Sequence, residues 1–350
     1  MIPLPTGLDD SSSFESQLAA YRALVAPVIA DCIPQREPRR HLYDLITDQL
    51  SRAGKGIRPA LCIATCRAFG GQTEKALPSA AALELLHNAF LVHDDIEDGS
   101  EYRRGRPTLH LEHGVPLAVN VGDAMNALSL RVLKRNLPLL GPESSWRIFD
   151  EFEHMMSETI EGQAMELGWI RDNDCNTTEA DYVLMVLKKT CWYSFIHPCR
   201  IGAIIAQGRK ADLASFDRFG YYLGTAFQIQ DDVLNLVGNE RQYGKEINGD
   251  LLEGKRTLMV AHLLQSCGAA DKQRLKDFFA KPRKQRLARE VAWVHEAMKG
   301  YGSIEYGRQV AAEFAAAARK ELDLAFASAS SGADVHFLRL LLDYMIARDS

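Results

Sequence analysis

The sequence of 350 residues predicts an all-α fold, a bundle of many helices. Apolar residues recur at positions i, i+3, i+4 and i+7 over long stretches such as EKALPSAAALELLHNAFLVH and FLRLLLDYMIA. These stretches are rich in Ala, Leu, Glu, Lys and Arg, which are strong helix formers. No segment shows the strict alternation typical of a strand. We expect one all-α domain over residues 14–350, preceded by a disordered segment, residues 1–13.

Breaks between the predicted helices fall where glycine and proline cluster, because these residues interrupt helical hydrogen bonding. Between the breaks, residues 76–98 are predicted to form one helix and residues 217–236 another. The predicted breaks lie at Gly70-Gly71, Gly141-Pro142, Gly238-Asn239, Lys281-Pro282 and Gly332.

The bulk composition excludes several function classes. Hydrophobic residues make up 47% and charged residues 25%, which is ordinary globular composition, and the net charge of -5 gives no indication of a nucleic-acid partner. No stretch approaches the roughly 18 apolar residues of a membrane span. The N-terminus lacks the pattern of a signal peptide. Seven scattered cysteines without a CxxC pair predict reduced thiols and a cytoplasmic location.

The stretch LVHDDIEDGSEYRRGRP places an acidic cluster at the end of the first predicted helix. Asp94 and Asp98 are one turn apart and share a face with His87 and Phe90, and Asp95 flanks them. Like charges at this spacing destabilise a helix, so a cation is expected between them. Oxygen ligands suit Mg²⁺. Taken alone, the cluster is equally consistent with a solvated acidic helix end.

A second acidic cluster closes the other predicted helix, in FGYYLGTAFQIQDDVLNLVG. Two such helices facing each other would surround a cavity with carboxylates at its mouth and apolar side chains below. A diphosphate held by Mg²⁺ fits the mouth, and a hydrocarbon tail fits the depth. The residues that share one face here, with the adjacent aspartate, are Gly224, Phe227, Gln228, Asp231, Asp232 and Asn235.

Four short basic motifs accompany the acidic clusters. Arginine binds phosphate oxygens in pairs, and lysine acts as a point charge. Each motif alone is typical of an ordinary surface, but the combination with two acidic clusters indicates a diphosphate site. The motifs are GKGIRP with Lys55 and Arg58, RRGRP with Arg103 and Arg104, KKT with Lys189 and Thr190, and GKEINGDLLEGKRT with Lys245 and Lys255.

This ordered set, together with GQAMEL at residues 162–167, resembles the trans-isoprenyl diphosphate synthase family, and most of all its short-chain geranylgeranyl and farnesyl members. The resemblance covers residues 50–265 in order. It implies an isoprenoid-synthase-like helical bundle around a central cavity, a cytoplasmic homodimer and a Mg²⁺-dependent transferase. The implied reaction is head-to-tail (1'-4) condensation of an allylic diphosphate with isopentenyl diphosphate, releasing diphosphate.

The resemblance also implies a role for each motif residue, and about three Mg²⁺ ions in each active site. Metal binding is implied for Asp94, Asp95, Asp98, Asp231, Asp232 and Asn235. Binding of the allylic diphosphate is implied for Arg103, Lys189, Gln228, Lys245 and Lys255, and binding of isopentenyl diphosphate for Lys55, Arg58, His87 and Arg104. The catalytic set is Asp94, Asp95, Asp98, Lys189, Thr190, Gln228, Asp231, Asp232 and Lys255.

Two departures from the family pattern bear on function. The second motif ends in Asn235, which offers a metal only a neutral carbonyl oxygen, and Gly56 replaces a cation in GKGIRP.

Product length is predicted from two residues of the first predicted helix. Phe90 lies one turn below Asp94, where its ring would form the floor of the cavity, and Ala89 is small. In the family a small residue at that position goes with the C20 product. Geranylgeranyl diphosphate is therefore predicted, with farnesyl diphosphate or a longer polyprenyl product as alternatives.

Two other functions are weighed against this prediction. A class I terpene cyclase would carry a different second motif, and the register from Asp231 places Asn235 and Asn239 where that motif needs Ser or Thr and Glu. A cyclase would also not need the cations of GKGIRP and RRGRP. A non-catalytic subunit of a heteromeric synthase is expected to have lost site residues, and this chain keeps nearly all of them.

Overall fold

The computed structural model describes residues 13–52, 54–238 and 247–346. The segment predicted to be disordered lies outside these residues except for Ser13, whose side chain accepts the N–H of Ser16 and caps the first helix. The described residues are helical almost throughout, which confirms the predicted all-α class. Their strands are limited to one hairpin of two residues on each side, β1 (Tyr102–Arg103) and β2 (Arg106–Pro107).

The helices follow one another with short connections. They are α1 (Phe14–Cys32), α2 (Asp44–Ser51), α3 (Ile57–Ala68), α4 (Thr73–Glu97), α5 (Leu109–His113), α6 (Val115–Leu133), α7 (Asn136–Arg171), α8 (Glu179–Val186), α9 (His197–Gln207), α10 (Ala214–Val237), α11 (Gly249–Glu253), α12 (Leu258–Ser266), α13 (Ala269–Phe279), α14 (Ala288–Gly300), α15 (Ser303–Ala325) and α16 (Gly332–Ile346). Wider π-helical turns span Arg39–Tyr43 and Leu187–Ile196, and single 3₁₀ turns span Gly208–Lys210 and Arg283–Gln285.

The two helices that carry the acidic clusters lie where the sequence predicts them. α4 covers the predicted residues 76–98 to within a turn, and α10 covers 217–236. Gly141 has a φ of 78° and interrupts α7 before Pro142, as predicted. A helix boundary also falls at Gly332, as predicted: this residue is the first of α16 and follows the connection formed by residues 326–331.

The chain groups into two compact units. Unit 1 contains residues 1–154, 194–217 and 322–341, and unit 2 contains residues 155–193, 218–321 and 342–350. The single domain over residues 14–350 stays a prediction.

In unit 1, α4 is the central element. It packs against α6, α3 and α1, and α3 also packs against α9. Five of the fourteen buried residues of α4 are alanines, among them Ala81 and Ala89, which are fully buried. Small side chains let neighbouring helices approach closely, so α4 is enclosed on several sides. This enclosure fixes the direction in which its C-terminal acidic residues leave the helix.

In unit 2, α12 packs against α8 and α14. A fully buried arginine, Arg256, stabilises the chain just before α12. Its guanidinium donates to the carbonyl oxygen of Asp174 at 2.6 Å and to Oδ1 of Asn173 at 2.9 Å, and it lies 4.3 Å from the ring centre of Phe279. Because a buried guanidinium needs all these acceptors, Arg256 holds its neighbour Lys255 in place.

Two further expectations concern the whole chain. All seven cysteines are free thiols, and six of them are buried. None of the helices in the described ranges is long and apolar enough to cross a bilayer.

Candidate functional site

The first acidic cluster is joined to Arg103 by the hairpin that follows α4. Arg104 and Gly105 connect β1 to β2 with φ angles of 54° and 75°, the left-handed pair that tight two-residue hairpins require. The turn brings Arg103 back over the helix end. Its Nε donates to Oδ1 of Asp95 at 2.5 Å, and its terminal nitrogen donates to Oδ2 of Asp94 at 3.0 Å. One arginine thus bridges both aspartates.

This bridge is buried on the Asp95 side. The side chain of Asp95 is 5% exposed, that of Arg103 is 12% exposed and that of Asp94 is 27% exposed. Burial lowers the pKa of Arg103, but the charges of Asp95 and Asp94 outweigh it and raise the pKa. Removing one partner of a buried pair leaves an uncompensated charge, at a cost of about 3–5 kcal/mol. Asp95 is therefore anchored, whereas Asp94 is accessible to a ligand.

The cations predicted for the second diphosphate form a group in unit 1. Arg58 donates to Oγ of Ser194 at 2.7 Å, and Arg104 donates to the carbonyl oxygen of Arg52 at 2.6 Å. Burial, and then the charges of Arg58 and Arg104, hold the pKa of His87 well below its usual range. A neutral imidazole at physiological pH can donate a hydrogen bond without adding to the cationic charge.

Lys55 belongs to the same neighbourhood through the chain. It follows Gly54, and a Cβ added to Gly54 would lie within 2.9 Å of both terminal nitrogens of Arg104. The structure therefore brings together Arg58, His87 and Arg104, with Lys55 next to the contact.

The second acidic cluster, on α10, is held by a chain of hydrogen bonds within unit 2. Oγ1 of Thr190 donates to Oε1 of Gln228 at 3.0 Å, and Nε2 of Gln228 donates to Oδ1 of Asp232 at 2.8 Å. The hydroxyl of Tyr182 donates to the other oxygen, Oδ2 of Asp232, at 2.7 Å. Three of the predicted residues are thus directly connected, and Tyr182 is an additional member.

The surroundings of Asp232 test whether this cluster fits a metal. Burial, then the charge of Asp250, raises the pKa of Asp232 well above its usual range, and Asp231 adds to the effect. A buried carboxyl surrounded by other carboxyls is stabilised in its ionised form by a divalent cation. The donors are all hard oxygens, as Mg²⁺ prefers. The residues present therefore fit the predicted ion.

Lys189 lies in the π-helical turn Leu187–Ile196, a wide backbone conformation often found at functional sites. A Cβ added to Gly162 would lie 2.4 Å from the backbone nitrogen of Lys189, so α7 approaches this turn as closely as only glycine permits. The ammonium group of Lys189 forms an ion pair with Glu166 on α7. The motif GQAMEL thereby supplies both the close approach and the counter-ion.

Lys255 and Asn235 are tied to the short helix α11. The ammonium of Lys255 is 2.8 Å from Oε2 of Glu253 and 3.7 Å from Oδ1 of Asp250. Asn235 is buried, its side-chain Oδ1 accepts the N–H of Asp250 at 3.1 Å, and its carbonyl oxygen accepts the N–H of Asn248 at 2.7 Å. The oxygen predicted to bind a metal is engaged in this contact, and its metal role stays a prediction.

The remaining predicted residues are placed as follows. Ala89 is fully buried and Phe90 is half-buried on α4, and their role in product length stays a prediction. Lys245 lies outside the described residues. Within the described ranges, no three His, Cys, Asp or Glu side chains are gathered closely enough to hold a metal ion without rearrangement. In this structure Arg103 balances the charge of Asp94 and Asp95.

Four residues that interact with predicted site residues within their own units were missed as site residues. Glu166 and Asp250 stand inside motifs that the sequence displays, so an unassigned carboxylate within a motif was an available signal. Tyr182 and Ser194 carry no local signal, because their partners are 50 and 136 residues away in the chain.

Comparison with known proteins gives concordant results. A sequence profile of the family described as polyprenyl synthetase matches residues 39–298. A geranylgeranyl diphosphate synthase of Sulfolobus acidocaldarius is 36% identical over 232 residues, which are 66% of this chain and 69% of that protein.

Solved structures agree with the sequence relatives. The crystal structure of a geranylgeranyl pyrophosphate synthetase from Pyrococcus horikoshii superposes with a TM-score of 0.84 at 31% identity, covering 96% of this chain and 98% of that one. A polyprenyl synthase from Caulobacter crescentus, complexed with calcium and isoprenyl diphosphate, superposes with a TM-score of 0.83 at 26% identity, covering 98% and 100% of the two chains.

Proposed function

The chain belongs to the polyprenyl synthetase family, and we propose that it is a trans-prenyltransferase that condenses an allylic diphosphate head-to-tail with isopentenyl diphosphate, up to geranylgeranyl diphosphate. The observation that carries the proposal is the segregation of charge around one hairpin. Arg103 bridges the carboxylates of Asp94 and Asp95, whereas its neighbour Arg104 joins a group of cations. A reaction of two diphosphates needs two such places, one that works through metal and one that works through cations alone.

The allylic diphosphate is assigned to the carboxylates of both acidic clusters. Asp94, Asp95 and Asp98, with Asp231 and Asp232, would hold Mg²⁺, about three ions when substrate is bound. Bound Mg²⁺ supplies charge neutralisation of the diphosphate as its C–O bond breaks. The complex of the Caulobacter crescentus relative with calcium and isoprenyl diphosphate supports the pairing of divalent cation with this ligand class.

The basic residues of the same set act on the departing diphosphate. Arg103, Lys189 and Lys255, with Lys245, place positive charge where negative charge develops. Each of the described three is already paired with a carboxylate, so it is held in position before substrate arrives. Oxygen dipoles of Thr190 and Gln228 stabilise the allylic cation. The released diphosphate is the acceptor of the proton that is lost after the new bond forms.

Isopentenyl diphosphate is assigned to Lys55, Arg58, His87 and Arg104. These residues offer cationic donors and a neutral imidazole, with no metal required. Binding the second substrate by its own diphosphate orients its double bond toward the forming cation. Water must be excluded from the closed site, because it would quench that cation.

The C20 product is supported by the geranylgeranyl synthases among the relatives and by Phe90 as a half-buried floor one turn below Asp94. A farnesyl or longer polyprenyl product is the alternative outcome of the same measurement.

We also propose a homodimer in the cytoplasm. Several large apolar side chains of α6 and α7 are exposed on the single chain, among them Val115 at 48% and Trp146 at 64%. Trp146 stacks edge-on against Phe149, with ring centres 5.8 Å apart. Exposed apolar groups of this size are typical of a surface that a second copy covers. The free thiols are those expected in a reducing compartment.

Product analysis with the purified protein tests the proposal. Dimethylallyl, geranyl and farnesyl diphosphates are each incubated with labelled isopentenyl diphosphate and Mg²⁺, and the products are sized after dephosphorylation. Elongation to C20 with release of diphosphate is expected, and omission of isopentenyl diphosphate or of Mg²⁺ should abolish it. A hydrocarbon formed from the allylic diphosphate alone would identify a cyclase instead. No turnover by the protein alone would favour the non-catalytic subunit.

A further inference from the structure

We propose that Arg22, on α1, is a further residue that binds the diphosphate of isopentenyl diphosphate. The assignment rests on the proposed function and adds a residue to that substrate site. Arg22 lies outside every motif that the sequence displays, some 30 positions before GKGIRP.

Arg22 extends along the loop that carries Lys55. Its terminal nitrogen Nη1 donates to the carbonyl oxygen of Gly54 at 2.9 Å. A Cβ added to Gly56 would lie 3.5 Å from Cβ and 3.6 Å from Cγ of Arg22, so the aliphatic stem packs against the loop. Gly56 has a φ of 68° and presents no side chain of its own. The stem of Arg22 covers this position and carries its guanidinium to the neighbouring residue, Gly54.

Arg104 reaches the same residue through a different face. A Cβ added to Gly54 would lie 2.8 Å from Nη2 and 2.9 Å from Nη1 of Arg104. The Nη1 atom also donates to the carbonyl oxygen of Arg52. The guanidinium groups of Arg22 and Arg104 therefore flank Gly54, one at its carbonyl and one at its Cα. Any side chain at residue 54 would displace Arg104, so glycine is required there for the two groups to converge.

Several cationic side chains are gathered near this point. Burial raises the pKa of the Glu84 carboxyl, and the charges of Arg58, Arg104 and Arg22, in that order, oppose the rise. All three guanidinium groups are thus near enough for their charges to act on one carboxyl, and the charge of Asp95 also acts on Arg104. Lys55 adds a further cation beside Gly54. Such a group is stabilised by an anion with several charges, and a diphosphate has the oxygens to bind more than one guanidinium.

Arg22 is suited to accept that anion. Its side chain is exposed, and among the described residues its hydrogen bond is to a neutral carbonyl oxygen and it forms no ion pair. A guanidinium has five N–H donors, so donation to Gly54 leaves others for phosphate oxygens. Arg22 contributes charge, whereas Gly54 fixes the direction from which the charge is presented.

Two substitutions separate charge from the structural hydrogen bond. Arg22→Gln keeps an N–H donor for the Gly54 carbonyl but removes the charge, and Arg22→Lys keeps the charge. For Arg22→Gln we expect the KM for isopentenyl diphosphate to rise about tenfold, the size of a lost charge-assisted contact, with kcat and the KM for the allylic diphosphate within about twofold of wild type. Arg22→Lys should stay within about threefold in all three parameters.

The matched control is Arg131→Gln. Arg131 is an exposed arginine of α6 whose charge acts on Cys32, at the other end of α1. Cys32 is ten residues from Arg22, about 15 Å along the helix. All variants are compared by thermal melting, and binding of isopentenyl diphosphate without metal is measured by calorimetry. The calorimetric affinity should fall in Arg22→Gln and not in Arg131→Gln.

The outcomes separate this assignment from the proposed function. A wild-type protein that neither elongates nor binds isopentenyl diphosphate overturns both. A wild-type protein that elongates, while Arg22→Gln keeps the wild-type KM and affinity for isopentenyl diphosphate, overturns the role of Arg22 alone. An equal loss in Arg22→Gln and Arg22→Lys also overturns it, because the geometry of the guanidinium contact to Gly54, and not the charge, would then be responsible.

Discussion

Asp94 and Asp95 are neighbours in the sequence, but their surroundings divide the work between them. Asp95 is 5% exposed and receives Nε of Arg103, whereas Asp94 is 27% exposed and receives a terminal nitrogen of the same group. A buried, fully paired carboxylate stabilises the fold around it, and an accessible one can exchange its partner for a metal. At the residue scale, the first cluster therefore contains an anchored carboxylate and an accessible one that we propose as a metal ligand.

The accessible aspartate gives the first prediction. Asp94→Ala should lower kcat at least about a thousandfold, because it removes a proposed ligand of the Mg²⁺ that binds the departing diphosphate. Asp95 still holds Arg103 in this variant. Steady-state turnover and thermal melting are measured together. Glu97→Ala, which removes an exposed carboxylate from the same helix, should retain wild-type turnover. Wild-type kcat in Asp94→Ala would sink the metal assignment.

A second prediction concerns Phe90, the half-buried ring one turn below Asp94. Phe90→Ala should lengthen the main product by at least one isoprene unit, because the growing chain no longer meets an aromatic floor. Phe90→Tyr keeps the ring and should give the wild-type product. Chain lengths are read by chromatography of the dephosphorylated products. Identical lengths for wild type and Phe90→Ala would show that the floor lies elsewhere.

At the scale of elements, short segments are positioned by neighbours far away in sequence. The π-helical turn Leu187–Ile196 carries Lys189 and Thr190, and it is approached by Gly162 of α7 and linked to α10 through Gln228. The five-residue helix α11 is too short to be stable alone. Its position depends on hydrogen bonds to Asn235 of α10, and Lys255 depends on α11 in turn.

The third prediction follows from this dependence. Asn235→Ala leaves the N–H of Asp250 without its acceptor, a loss of about 1–3 kcal/mol. We expect faster hydrogen exchange at Asp250 and about tenfold lower kcat, because Lys255 is less well positioned. Asn235→Asp keeps an acceptor oxygen and should keep slow exchange. Unchanged exchange at Asp250 in Asn235→Ala would disprove the role of this side chain in positioning α11.

At the scale of the whole molecule, the surface of the single chain is not uniform. Val115, Val119, Trp146 and Phe149 on α6 and α7 are each at least 39% exposed. Scattered apolar residues are normal on a surface, but two exposed aromatic rings in edge-on contact are typical of an interface core. This surface therefore predicts that the chain forms a homodimer.

A fourth prediction tests that surface. Light scattering should give twice the chain mass of 39.0 kDa for the wild type. Trp146→Glu places a charge in the proposed interface and should weaken association about a hundredfold or more, giving a monomer at micromolar concentration. Leu324→Glu changes a comparably exposed apolar residue, at 61%, on α15 instead of α6 or α7 and should remain dimeric. A dimeric Trp146→Glu would exclude Trp146 from the interface.

The sequence by itself determined the helical class and the two acidic helices, and it predicts most residues of the candidate site. Helical periodicity and the spacing of Asp94, Asp95 and Asp98 are local properties, since residues three and four apart share a face whatever surrounds the helix. Motif order added the cations. Gly332 shows the limit of local signals, because a glycine marks a boundary without stating on which side the helix lies.

Only the tertiary structure decided which groups meet. Tyr182 and Asp232, Arg58 and Ser194, and Arg22 and Gly54 are each at least 32 residues apart, and no local pattern distinguishes these partners from other polar residues. The packing of the helices decides which polar residues meet. Burial then shifts the pKa values of the site residues, lowering that of His87 and raising that of Asp232. The residue type at each position is a local property of the sequence, whereas desolvation and charge coupling arise only when distant helices come together.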